Sequence, residues 1–255
     1  MNKKNMSLYI MLITEIDNDL PRATPTKEIM SVFIDGIDDN LPNRNGSITT
    51  MIGAPGTGKS SLLLSMFRNK AFYKKKYNHL YLITPESSFL SVENHPFKKH
   101  TKVYHDLDED ILEDIHEECL ALKHECMEEG YEIEHSCVII DDFASDLKDK
   151  VLIRALKRML TKSRHIACSF IFTLQAYNLF PLVLRKMITN VILFKPKNKI
   201  ELESVRRELI GLKEAQTQFL MDYIFDKPYN HLSIDTASGD MRKNFKLLKI
   251  EDKDK

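Results

Sequence analysis

Residues 48–67 read Ile48-Thr-Thr-Met-Ile-Gly53-Ala-Pro-Gly-Thr-Gly58-Lys59-Ser60-Ser-Leu-Leu-Leu-Ser-Met-Phe67. Gly53 to Ser60 occupy every fixed position of the pattern G-x-x-x-x-G-K-[ST]. Ile48 to Ile52 has the β-branched character of a buried strand. Leu62, Leu63, Leu64, Met66 and Phe67 supply the apolar surface of a helix that begins near Lys59. Strand, glycine-rich loop and helix together make an anion cradle. The glycines let the backbone bend round a phosphate, and the loop N–H groups and the helix N-terminus face it together. The expected phosphate-binding residues are Gly53, Ala54, Pro55, Gly56, Thr57, Gly58, Lys59, Ser60 and Ser61. Lys59 is expected to reach the β- and γ-phosphates, and the Ser60 hydroxyl to ligate Mg2+. An ordinary turn between strand and helix would leave Lys59 unexplained.

The rest of the composition narrows the class. A chain of 255 residues with 43% hydrophobic and 29% charged residues can bury a sizeable core. Basic and acidic residues balance at 37 each, so there is no global basic field, and any nucleic-acid contact must come from local patches. Of the four cysteines, Cys137 and Cys168 lie in apolar runs and are expected to pack as small hydrophobes. Cys119 and Cys126, with His116 and His124 nearby, are weighed as metal ligands but lack a C-x-x-C spacing, so buried thiols in a reducing compartment are preferred. Leu8 to Ile13 is too short for a signal segment, and no run approaches the ~20 apolar residues of a membrane span, so no membrane insertion is expected.

Along the chain, strands are expected at 8–14, 48–52, 79–84, 102–105, 137–141, 168–174 and 191–194. Helices are expected from Lys59, over 106–129, over 147–162 with Leu147, Val151, Ala155, Leu156, Met159 and Leu160 inward, and at about 200–210 and 213–225. Glu28 to Ile34 reads as a strand or short helix, residues 15–28 and 35–46 as loops, and 87–101 as irregular. His231 to Asp235 and Asn244 to Ile250 are expected to form a hairpin about a turn at 237–240. Strands alternating with helices predict an α/β fold with a mainly parallel sheet flanked by helices, and with ligand at the carboxyl ends of the strands. No domain boundary is visible. The expectation is one domain over 1–255, with an N-terminal strand and loops (1–47), a nucleotide-binding core (48–195), and C-terminal helices and hairpin (196–255).

Beyond the phosphate loop, Val138-Ile-Ile-Asp141-Asp142 is a hydrophobic strand ending in two carboxylates. Asp141 is positioned to hold the Mg2+ shell. Asp142 either polarises an attacking water or caps the turn. The next strand ends in Thr173-Leu174-Gln175. If it lies beside the Asp141 strand, the Gln175 amide emerges level with the phosphate loop and can sense a γ-phosphate; otherwise it is a surface residue. Arg164 and Arg185 are the candidates for an arginine delivered in trans to the transferring phosphoryl group. Each is alternatively a surface residue or the partner of an internal carboxylate. Lys150, Arg154, Lys157 and Arg158 share a helix face. With Lys74 to Lys76 and Lys98 to Lys102, they are candidate contacts to a phosphate backbone or simply solvated charges.

The ordered set of Gly53–Ser60, Ile-Ile-Asp141-Asp142-Phe, Ser163-Arg164-His165-x-x-x-Ser169-Phe-Ile-Phe-Thr-Leu-Gln175, Pro181-x-x-x-Arg185 and Val191-Ile-Leu-Phe194 resembles the genome-packaging ATPases of large double-stranded DNA viruses. That group includes the poxvirus packaging ATPase and falls in the FtsK–HerA class. The resemblance spans about 48 to 195. It implies a RecA-like ASCE P-loop core with an extra strand between the Gly53 and Asp141 strands. It also implies ATP and Mg2+ as ligands, and hydrolysis coupled to moving double-stranded DNA into a preformed capsid. The implied setting is a homo-oligomeric ring at a capsid or portal-like vertex, in the host cytoplasm or a viral factory, or in association with the virion. By position it makes Lys59 and Ser60 the phosphate and Mg2+ ligands and Asp141 the Mg2+ carboxylate. Asp142 becomes the catalytic acidic residue, where the wider class usually has glutamate, and Gln175 the γ-phosphate sensor. The alternatives are a nucleotide-gated structural or assembly protein of the virion with little turnover, a kinase, and a small GTPase. Asn198-Lys-Ile-Glu201 imitates the guanine-reading segment of a GTPase, but with glutamate for aspartate.

Overall fold

The computed structural model describes residues 11–15, 33–90, 96–98 and 101–252. Among the described residues, ten strands form one sheet: β1 Met11–Glu15, β2 Ile48–Ile52, β3 His79–Ile83, β4 Thr101–Tyr104, β5 Ser136–Asp141, β6 Cys168–Leu174, β7 Asn190–Phe194, β8 His231–Asp235, β9 Met241–Lys243 and β10 Lys246–Asp252. Their order is β1-β10-β9-β8-β7-β2-β6-β5-β3-β4. The six strands from β7 to β4 are parallel, and the other four continue the sheet antiparallel. The fold is therefore α/β with a mainly parallel sheet, as expected. β6 lies between β2 and β5, which is the inserted strand that the resemblance implies.

Every residue of β2, β6 and β7 is buried, because helices cover both sheet faces. The period of two is visible in which face each side chain joins. Cys137, Ile139, Ile171 and Ile192 pack with Leu63, Met66 and Phe67 of α1 (Lys59–Arg68). Val138, Ile140, Phe170 and Phe172 pack on the other face with α3 (Glu109–Glu129), α4 (Lys150–Thr161) and α7 (Glu214–Ile224). Each such fully buried side chain stabilises the fold by about 1.5–3 kcal/mol. α3 begins where the Asp108 carboxylate accepts the Ile111 N–H at 2.8 Å and ends at Gly130. α4 begins where Asp149 accepts from Val151 and Leu152. All four cysteines are free and buried.

Four local expectations differ from the structure. The expected C-terminal hairpin is a three-stranded meander, because a second reversal at Asn244 and Phe245, both at positive φ, divides the last run into β9 and β10. The stretch expected to be irregular contains α2 (Glu86–Leu90) and a short 3-10 turn at Pro96–Lys98. Val151 is exposed rather than inward, since the inward stripe of α4 is Leu152, Ala155, Leu156, Met159 and Leu160. The helix at 200–210 is α6 (Lys199–Val205) followed by a π-helical turn over Arg206–Ile210. Residues 8–10, 16–32, 91–95 and 99–100, to which the sequence reading also assigned structure or charge, lie outside the described residues. Between α4 and α6, the short α5 spans Leu182–Arg185.

Candidate functional site

The phosphate loop leaves β2 at the carboxyl edge of the sheet and enters α1. Gly58 takes φ +99, a left-handed conformation that costs a side-chain-bearing residue energy, and it caps α1 directly. The Lys59 ammonium donates to the Gly53 carbonyl at 2.6 Å and to the Ala54 carbonyl at 3.3 Å. Burial lowers its pKa from the ordinary lysine value; the nearby Asp141 and Asp142 act against that. The ammonium is thus held by neutral carbonyls that an arriving phosphate can outcompete. Ser60 and Ser61 are exposed at the helix start.

Register places the other groups. Ile52 of β2 pairs with Leu174 of β6, and Thr173 of β6 pairs with Asp141 of β5. The Thr173 hydroxyl donates to the Asp141 carboxylate and accepts from the Asp142 N–H at 3.2 Å. Asp142 sits at φ 65. Consecutive residues of a strand point to opposite faces, so two neighbouring aspartates serve one cleft only if the chain leaves the strand between them. The left-handed kink does this, and aspartate tolerates it better than most residues. Gln175 Nε2 then donates to Asp142 Oδ1 at 3.1 Å. Burial raises the Asp141 pKa above the ordinary carboxylate value. The Thr173 hydrogen bond opposes this, Asp142 adds to it, and Lys59 and a hydrogen bond from Thr84 oppose it further.

These residues line one cleft of about 450 Å³, together with Pro55, Gly56, Thr84 and Tyr229. Lys59, Ser60, Asp141, Asp142 and Gln175 are therefore brought together as the sequence reading expects. The donor set suits Mg2+: one carboxylate and one hydroxyl, with phosphate and water left to complete the shell. Among the described residues, no three His, Cys, Asp or Glu side chains gather as a metal cage, and Cys119, Cys126, His116 and His124 do not form one.

The two arginines lie elsewhere. Arg164 is exposed just before β6, beside the backbone of Gly46, at the amino edge of the sheet. The seven residues of β6 separate it from the cleft by roughly 20 Å. It is out of reach of its own subunit's phosphate loop. Arg185 is turned inward. Its Nη1 donates to Glu208 Oε1 at 2.7 Å, and its guanidinium lies 5.0 Å from the centre of the Tyr177 ring. This is the internal carboxylate set out above as the alternative for Arg185, and in this arrangement it does not project. On α4, Lys150, Arg154 and Lys157 are exposed, while Arg158 pairs with Glu109 at 2.9 Å. Sequence reasoning missed Thr173, Thr84 and Tyr229. Thr173 was legible as the residue before Leu174-Gln175, but only the register reveals that it faces Asp141. Tyr229 lies far from any motif.

A search of curated proteins found no match. Among solved structures, the chain is similar to B204, the DNA-packaging ATPase of Sulfolobus turreted icosahedral virus, with TM-score 0.56 and 18% identity over 78% of this chain and 97% of that one. The genome-packaging NTPase B204 of Sulfolobus turreted icosahedral virus 2, in complex with AMPPCP, gives TM-score 0.55 and 18% identity over 78% and 96%. EssC (ATPases 2 and 3) of Geobacillus thermodenitrificans gives 0.52 and 18% over 80% of this chain and 39% of that one. At these identities the likeness establishes the fold alone, a RecA-like P-loop core with a mainly parallel sheet flanked by helices. No helix among the described residues is long and apolar enough to cross a membrane. Residues 39–224 match the family model described as Poxvirus A32 protein. With more than two-thirds of its length inside that match, the chain belongs to the poxvirus A32 protein family.

Proposed function

We propose that this chain is an ATP-hydrolysing motor of genome packaging, which moves double-stranded viral DNA into a preformed capsid as a homo-oligomeric ring. The observation that carries the reading is the joined constellation of Lys59, Asp141, Asp142 and Gln175 on adjacent strands, with Arg164 exposed at the far edge. Membership of the A32 family supports it. So does the fold shared with B204, a DNA-packaging ATPase whose relative is known in complex with AMPPCP.

In this reading the loop N–H groups and Lys59 bind the β- and γ-phosphates of ATP. Ser60 and Asp141 would hold Mg2+, which would supply neutralisation of charge on the phosphate oxygens. Asp142 accepts a hydrogen bond from the attacking water and receives its proton as the new P–O bond to the γ-phosphorus forms and the bond to the β–γ bridging oxygen breaks, releasing ADP. Gln175 already donates to Asp142 and stands at the same edge, so it links the presence of a γ-phosphate to the position of the carboxylate. Asp142 is one methylene shorter than the usual glutamate, so the water must sit closer to the strand end. Arg164 cannot serve its own site, so a ring that seats its amino edge against the next subunit's cleft is the arrangement in which it stabilises the transferring phosphoryl group. The exposed Lys150, Arg154 and Lys157 are the proposed contacts to the DNA backbone, which carry little sequence preference and strong salt dependence.

The test is ATP hydrolysis with and without duplex DNA, for the native protein, Lys59→Ala, Arg164→Ala, Arg185→Ala and mixtures with Lys59→Ala. Native turnover is expected to rise with DNA, and Lys59→Ala to be inactive. Arg164→Ala is expected to fall by roughly 10³-fold or more and to regain activity when mixed with Lys59→Ala. That rescue arises because only a mixed interface joins an intact loop to an intact arginine. Arg185→Ala is expected to lose stability and to gain nothing from mixing. ATP binding with no turnover under any condition would favour the alternative of a nucleotide-gated assembly protein.

A further inference from the structure

The sheet order gives the cleft two sides. β6 and β5, carrying Thr173, Gln175 and Asp141, lie on one side of the phosphate loop; β7 and β8 lie on the other. A nucleoside triphosphate whose γ-phosphate lies at Asp142 and Gln175 therefore extends its nucleoside towards β7 and β8. There, in the turn before β8, stands Tyr229, a large aromatic residue that is 70% exposed and held at φ 66. Both features are costly for tyrosine: an apolar ring in water, and a backbone conformation that bulky L-residues avoid. The ring lies over the loop itself, since a methyl added at Gly58 would come within 3.1 Å of its Cδ1.

The turn that displays this ring is braced. Asn230 Nδ2 donates to Asp226 Oδ1 at 2.7 Å, and Asn244 Nδ2 donates to Asn230 Oδ1 at 2.8 Å. The Lys243 ammonium pairs with Asp226 at 3.0 Å. Directly beneath, the buried His231 ring packs on Phe245 with centroids 4.7 Å apart and on Phe194 at 5.6 Å. The β9–β10 reversal thus fixes the turn from below and leaves the Tyr229 ring facing the cleft, where it has no core to pack into. Core packing does not account for a strained, exposed aromatic at the rim of a phosphate site; a flat apolar ligand does.

We propose that Tyr229 is the nucleobase platform of this site, on which the base of the bound nucleotide stacks while the loop holds its phosphates. The proposal rests on reading the cleft as a nucleoside triphosphate site. It is tested by equilibrium binding of Mg-ATP and of inorganic Mg-tripolyphosphate to the native chain and to Tyr229→Ala, Tyr229→Phe, Tyr229→Gly and Lys59→Ala. Stacking on one aromatic ring predicts that Tyr229→Ala weakens ATP roughly tenfold and leaves tripolyphosphate unchanged. Tyr229→Phe should keep the native ATP affinity. Tyr229→Gly should bind like Tyr229→Ala although it relieves the backbone strain, which separates the ring from the turn's conformation. Lys59→Ala should weaken both ligands. If Tyr229→Ala binds ATP as tightly as the native chain, or loses ATP and tripolyphosphate equally, the platform is refuted while the phosphate site stands. If the native chain binds neither ligand, the reading of the cleft and the platform fall together.

Discussion

Thr173→Val removes one hydroxyl from the centre of the site and almost nothing else. The residue is buried and its shape is kept, so no cavity forms, but the hydroxyl serves two partners at once. Without it, the Asp142 N–H loses its acceptor and the Asp141 carboxylate loses a donor. A hydrogen bond to a charged group is worth about 1.5–3 kcal/mol. The expected loss is therefore about 2 kcal/mol, a fall of roughly 4–8 °C in Tm for a chain of this size. Activity should respond separately. Burial already raises the Asp141 pKa, and the Thr173 hydrogen bond is the first contribution opposing that rise. Its removal raises the pKa further, so Asp141 ionises, and becomes a cation ligand, only at higher pH. A carboxyl whose folded pKa lies above its unfolded one loses stability as pH rises from the unfolded value through the folded one. The variant's deficit should accordingly be largest where Asp141 is ionised. Thermal unfolding and the pH dependence of ATP hydrolysis measure the two effects, with Thr173→Ser as the control that restores the hydroxyl. A Thr173→Val protein with native Tm and an unmoved acid limb would refute the claim that this hydroxyl ties the two aspartates together.

Two further outcomes follow from the same geometry. His231 is buried with its pKa lowered to about 4, chiefly by desolvation. The unfolded chain takes up the proton first, near pH 6.5, so stability is full above that value and lost as pH falls from 6.5 to 4. The interval is worth roughly 3 kcal/mol, and His231→Phe should flatten that part of a urea-denaturation pH profile. Gly46 sits at φ +68, and a Cβ there would lie 2.6 Å from the Arg164 backbone nitrogen and 2.8 Å from its Cα. Gly46→Ala should cost about 2–3 kcal/mol and displace Arg164, so that turnover falls while equilibrium ATP binding is kept; unchanged turnover would argue against a catalytic Arg164.

The parts of this protein that were legible in the residues are those set by local chemistry. Gly53 to Ser60 declares a phosphate loop because only that spacing of glycines, lysine and serine bends a backbone round an anion at a helix start. The parallel core was legible because strands buried on both faces read as continuous apolar runs, as Cys168 to Leu174 does. The stop of the long helix at Gly130 is likewise local, whereas its cap at Asp108 falls inside the span 106–129 that the periodicity predicts. What lay beyond the sequence is whatever depends on which strands become neighbours. The motif order did not say that Thr173 would face Asp141, that Arg185 would turn in to Glu208, or that Arg164 would stand at the opposite edge from the cleft. Nor did any pattern near residue 229 point to a phosphate loop some 170 positions earlier in the chain. Strand pairing and helix packing are decided by burial summed over the whole sheet, a non-local quantity. The identity of the reactive groups is therefore written in short motifs, but their distances and partners are settled only when the tertiary structure closes.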